Sequence, residues 1–120
     1  MNSKNFYDSI GGSYEEVMQR LGNDSLIERF VKMFPSDESY MNLCKAMEDK
    51  NLGEVFGASH TLKGICANLS FKNLYEAAST LTEDVRNGSP SPSVEEYFNK
   101  VCAEYKIVMD ALKSEGVAGD

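Results

Sequence analysis

The chain contains one histidine, His60, and the residues spaced around it are of types that could serve a nucleophile. In a helix each residue turns about 100° from the last, so with Leu62 as reference His60 falls about 160° away, nearly opposite the apolar face. By the same count Lys63 stands near 100° and Phe56 near 120°, on the outward side with the imidazole. Gly57 and Gly64 flank His60 one turn below and one turn above, and Ala67 lies a turn beyond Gly64. A glycine inside a helix costs roughly 0.8–1 kcal/mol relative to alanine. The face therefore combines a titratable nucleophile, a cation, a large aromatic and little bulk above or below. It is a face built for close approach by another surface. Each member also has a plainer reading: a solvated His60, a kink at Gly57, helix packing at Gly64, a surface charge at Lys63, a core-edge Phe56. The helical wheel leaves both readings open.

Holding such a face in place requires a helix packed on its opposite side, and the sequence reads as helix throughout. Pro35, Pro90 and Pro92 fall between periodic segments, and no strand-like alternation stands out. Residues 52–69 place Val55, Ser59, Leu62, Cys66 and Leu69 on one stripe, the inward face opposite His60. Residues 37–49 carry Tyr40, Leu43, Cys44 and Met47 at helical spacing, and residues 71–87 carry Leu74, Ala78, Leu81 and Val85. A last helix opens at Ser93, carries Val94, Phe98, Val101, Tyr105, Val108 and Leu112, and stops near Gly116. Capping boxes are expected at Ser13–Glu16, Ser25–Glu28 and Ser93–Glu96. In the first 35 residues an apolar stripe of Leu26, Phe30, Met33 and Phe34 is expected to face inward until Pro35 ends it. The expected architecture is an all-α, antiparallel four-helix bundle over residues 36–115. Short helices in residues 1–35 cap one of its ends, all within a single domain spanning 1–120.

Composition narrows the function. With 19 acidic against 12 basic side chains the net charge is −7, which argues against nucleic acid or an anionic membrane as partner. No apolar run approaches the roughly 18–20 residues needed to span a bilayer, and residues 1–5 lack the apolar core of a secretory signal. Cys44, Cys66 and Cys102 form no Cys-x-x-Cys pair and read as small buried hydrophobes in a reducing cytoplasm. With a single His, no metal site is expected. No Gly-rich phosphate loop or Walker-type Gly-x-x-x-x-Gly-Lys is present, so ATP chemistry is not expected of this chain. Nor is there a second imidazole for a Ser-His-Asp arrangement with Glu54 or Glu83.

His60-Thr61-Leu62-Lys63-Gly64 followed by Ala67-Asn68-Leu69 resembles the signature of histidine-containing phosphotransfer (HPt) domains of bacterial phosphorelays. The similarity continues through Leu74, Ala78, Leu81, Glu83, Arg86 and Gly88, and is dense over residues 58–88. It departs at Ser70, where the family most often has glycine; Ser70 is expected to cap the next helix. The resemblance implies that His60 accepts a phosphoryl group, through Nε2, from a receiver domain's aspartyl phosphate and passes it to another receiver. Lys63 would neutralise charge on the phosphoryl oxygens. Gly64 and Gly57 would provide clearance, and Phe56, Gly57 and Ala67 would form the docking patch. The protein would be a phosphoryl carrier and not a kinase. It would have no cofactor of its own, Mg²⁺ coming with the partner receiver.

Expected partners are response-regulator receiver domains or a hybrid histidine kinase, met by a monomeric, cytoplasmic protein. The chain could be a free-standing module or a domain of a larger kinase. The alternative is a helical adaptor that docks on receivers with His60 inert. A third reading is a bundle without partner chemistry, in which Gly64 serves helix packing.

Overall fold

The computed structural model describes residues 1–117. Among them the helices run α1 (Ser3–Ile10), α2 (Tyr14–Leu21), α3 (Asp24–Met33), α4 (Ser39–Glu48), α5 (Leu52–Leu69), α6 (Lys72–Val85) and α7 (Val94–Ser114). A 3-10 turn at Phe34–Ser36 separates α3 from α4. The all-α expectation holds, with α5 bounded as the sequence implies and α4 and α6 shorter by a residue or two at each end.

The helix starts follow local chemistry. Asn2, Ser13, Asn23 and Asn51 each accept a hydrogen bond from the amide three residues on, and such caps contribute about 1 kcal/mol apiece. Two expected boxes differ. Asn23, and not Ser25, caps α3, because the chain turns extended one residue after Gly22. Ser93 precedes α7 but its side chain makes no capping bond. At α2 only half of the box forms. The Ser13 amide donates to the Ser70 carbonyl at 3.0 Å, and the Glu16 carboxylate pairs with Lys72 at 3.1 Å.

Helices α4 to α7 are joined by the short links 49–51 and 70–71 and the longer 86–93, so neighbours run antiparallel and the four close into a bundle. Its interior is the expected one for α5 and α6: Val55, Ser59, Leu62, Cys66 and Leu69 face Leu74, Ala78, Leu81 and Val85, all buried. Helix α4 adds Leu43 and Ala46, and α7 adds Val101, Val108 and Leu112. Cys44 and Cys102 are only half-buried, and Cys66 alone of the three cysteines belongs to the deep core.

The short helices close the end of the bundle where α5 turns into α6. Phe71 is the wedge. Its ring meets those of Phe6, Tyr7 and Phe34 at 5.7, 5.7 and 5.2 Å between centroids. The Tyr7 hydroxyl donates to the Leu69 carbonyl at 2.7 Å, and Arg20 donates to the Asn68 carbonyl and the Ser70 hydroxyl, both at 2.9 Å. Gly12 passes so near this turn that a Cβ there would lie 2.8 Å from the Ser70 carbonyl oxygen.

Two expectations are overturned here. Ser70 is the C-cap of α5, in the left-handed conformation (φ 57°, ψ 38°), while Phe71 precedes α6. That conformation is natural to glycine. On α3 the inward stripe is Ile27, Val31 and Phe34, all at most 2% exposed. Leu26 is half-buried, and Phe30 and Met33 point outward. Two apolar stripes about 100° apart compete on this helix and meet at Phe34; with Phe34 drawn into the aromatic cluster at Phe71, the side of Ile27 and Val31 turns inward.

Candidate functional site

Helix α5 presents His60 to solvent from its middle turn, held by Val55, Ser59, Leu62 and Cys66, none of which is exposed. The flanking hydroxyls are occupied by the backbone: Ser59 donates to the Phe56 carbonyl at 3.2 Å and Thr61 to the Gly57 carbonyl at 2.9 Å. Behind the histidine, the buried Thr82 hydroxyl donates to the Ala78 carbonyl at 2.7 Å and lies 2.9 Å from the Ser59 hydroxyl. This polar pair locks α6 against α5 at the level of His60.

Gly57 and Gly64 are exposed, and a Cβ built at either position meets no atom within 4 Å. Neither glycine is needed for packing among the described residues. Helix packing, the plain explanation for Gly64, is therefore gone. Two residues that weaken a helix stand on either side of the only histidine, and they leave a bare strip of backbone, extended by the exposed Ala67.

One wall of the site comes from α6 and the link after it. The Phe56 ring meets the His60 imidazole edge-on, with centroids 5.7 Å apart and planes at 70°. Over Phe56 lies the Arg86 guanidinium, 5.2 Å from the ring centre. Arg86 donates to both Glu83 oxygens, from Nε at 2.8 Å and from Nη2 at 2.7 Å. The hydrogen bonds from Arg86, with smaller contributions from nearby Lys63 and His60, hold the Glu83 carboxyl below its ordinary range. Lys63 is partly exposed and forms no ion pair among the described residues. The Glu83–Arg86 pair is internally neutral, so the uncompensated charge beside His60 is the Lys63 ammonium. That arrangement favours an anion at the imidazole. The sequence points to Arg86 only through the family pattern, and to Glu83 through that pattern and as a carboxylate without a second imidazole. Their link to Phe56 joins residues thirty positions apart, which no helical spacing reveals.

Farther along α5, toward its C-terminal end, an apolar groove of about 880 Å³ opens between α3 and α5, lined by Phe30, Met33, Ile65 and Leu69 together with Arg20 and Asn68. Phe30 and Met33 are 39% and 58% exposed, unusual for large apolar side chains on a small protein. The sequence reading missed this surface because it turned the same two residues inward.

No helix among the described residues is long and apolar enough to cross a membrane, and no group of three or more His, Cys, Asp or Glu gathers there. Neither the curated proteins nor the solved structures compared with the chain gave a match. A family model described as Hpt domain matches residues 26–115, three quarters of the chain, and these residues include α5, the glycine strip and the Arg86 wall. The chain therefore belongs to the Hpt domain family, helical phosphocarriers that act through a histidine in phosphorelays.

Proposed function

We propose that His60 is the phosphoacceptor, taking a phosphoryl group from the aspartyl phosphate of a receiver domain and delivering it to a second receiver. The observation that carries this reading is the bare backbone strip: an exposed histidine between two glycines whose missing side chains nothing among the described residues requires. A neutral imidazole nitrogen attacks phosphorus in line with the aspartyl oxygen. The P–N bond forms as the P–O bond breaks, and the receiver recovers a free carboxylate. Delivery to the second receiver is the same step reversed on a new aspartate. Lys63 stabilises the phosphoryl oxygens, and Gly57 and Gly64 let the donor's loops reach the imidazole. Phe56 and Ala67 dock the partner, with Phe30 and Met33 extending the apolar contact along α3. In this reading the receiver brings Mg²⁺, the chain carries phosphate without an ATP site, and it acts as a cytoplasmic monomer that meets its partners transiently.

The test is transfer of labelled phosphate from phosphorylated receivers to the parent protein and to His60→Gln. Label on the parent that is acid-labile and base-stable, and none on the variant, supports the relay. Receiver binding by both proteins with label on neither would overturn it and leave a docking adaptor.

A further inference from the structure

On the side of the bundle away from His60, α4 meets α7 through two stacked tyrosines. The Tyr40 and Tyr105 rings lie 3.6 Å apart, 6° from parallel. The helices run antiparallel, so stepping forward from Tyr40 to Cys44 and backward from Tyr105 to Cys102 moves the same way along the bundle. The two steps are about 6 and 4.5 Å at about 1.5 Å per residue. Both thiols thus arrive one turn beyond the stack, on facing sides, and both are half-buried. Burial first, with smaller contributions from the Cys102 and Cys44 thiols, pushes the Tyr40 hydroxyl up from its ordinary range, which places both sulfurs near it. Desolvation by burial is the main reason the Cys44 thiol is pushed up from its ordinary value. Cys66 is enclosed in the core and takes no part. Nothing in the transfer chemistry at His60 uses this pair.

We propose that Cys44 and Cys102 are a redox-closable staple, forming a reversible disulfide between α4 and α7 when a peroxide is present. In the first step one thiolate attacks the peroxide, giving a sulfenic acid and hydroxide. In the second the other thiol displaces that oxygen as water, and the S–S bond forms. Overall two thiols are oxidised, each losing its hydrogen, and one hydrogen peroxide is reduced to two waters. The stacked tyrosines hold the helices in register, so the bond, about 2.05 Å long when closed, forms without one helix sliding past the other. A bridge closed across residues 44–102 constrains the unfolded chain strongly.

The full-length protein is treated with excess hydrogen peroxide, quenched, denatured and titrated for thiols. The expected count falls from three to one, with the chain still monomeric, lighter by two hydrogens and restored to three thiols by dithiothreitol. A digest then yields an α4 peptide joined to an α7 peptide. The oxidised protein melts several degrees above the reduced one. Cys44→Ser and Cys102→Ser, checked for unchanged helix content, show neither the two-hydrogen loss nor the rise in melting temperature. Three thiols surviving treatment, a bridge involving Cys66, covalent dimers, or oxidation of one cysteine to the sulfinic acid without a bridge would each overturn the proposal.

Discussion

The Arg86 guanidinium sits 5.2 Å above the ring of Phe56 while both of its bonded nitrogens engage Glu83. One side chain thus holds the aromatic that flanks His60 and neutralises a carboxylate that feels the His60 charge. Arg86→Ala exposes a bare negative charge to the incoming phosphoryl group. Transfer to His60 is expected to slow about fivefold, the scale of one solvent-screened charge interaction. Glu83→Gln in the same background is expected to restore most of the rate. The acid side has a definite sign. Arg86 lowers the Glu83 pKa, so the pair's contribution to stability is present above the ordinary carboxylate range and is lost as pH falls through the lowered value. NMR titration of the Glu83 carboxyl should place it below ordinary glutamate in the parent and higher in Arg86→Ala. An unchanged Glu83 titration in the variant would refute the pairing.

Gly64 separates stability from function. Among the described residues, nothing beyond its own stretch of helix lies within 4 Å of where its Cβ would be, so Gly64→Ala should stabilise the fold by about 0.8–1 kcal/mol through helix propensity alone. Thermal unfolding would register this as a rise of about 3–5 °C. Gly64→Gln should also fold normally, yet slow phosphoryl transfer at least tenfold by standing where the partner's loop must pass. A Gln variant that transfers at the parental rate would disprove the role assigned to the bare strip.

How far the sequence could be read follows from where each signal lives. Helix α5 is legible to the residue because one apolar stripe and a glycine strip agree locally. The same holds for the outward placement of His60, which needs only the helical period. Helix α3 was misread because two stripes were equally apolar, and only contact with Phe71 distinguishes them. Phe6 and Tyr7 gave no periodic signal in a helix of eight residues. A serine at position 70 favours an N-cap by type, whereas the left-handed turn it occupies follows from Gly12 and Ser13 closing over it. The Glu83–Arg86–Phe56 wall depends on how α6 lies against α5, which spacing along either helix does not encode.

Ser70 offers a balance of two terms. Its left-handed backbone strains a residue other than glycine by roughly 1–2 kcal/mol, while its hydroxyl accepts a hydrogen bond from Arg20 at 2.9 Å, worth about 0.5–1.5 kcal/mol. Ser70→Gly exchanges one for the other and should leave stability within about 1 kcal/mol of the parent. Ser70→Ala keeps the strain and loses the bond, and should destabilise by about 1 kcal/mol. Urea unfolding of the two variants decides the matter, and an alanine variant more stable than the glycine one would contradict the assigned conformation.

Phe71 tests how the cap is joined to the bundle. Its ring is fully buried and touches the rings of Phe6 and Tyr7 from α1 and of Phe34 from the 3-10 turn. Truncation to alanine removes those contacts and leaves a void at the junction, at a cost of about 3–5 kcal/mol. Against a total stability of roughly 5–15 kcal/mol for a domain of this size, the variant should be only marginally folded at 37 °C. Phe30→Ala is the matched control, since its ring is 39% exposed and its loss should alter stability by no more than about 1 kcal/mol. The two substitutions should part in function as well. Phe71→Ala, held at low temperature where it remains folded, should accept phosphate at a near-parental rate, because His60 is positioned by the α5–α6 contact at Ser59 and Thr82 and not by the cap. Phe30→Ala should melt like the parent but bind receivers more weakly. If Phe71→Ala lost transfer while folded, the cap would have to be counted among the elements that position the histidine.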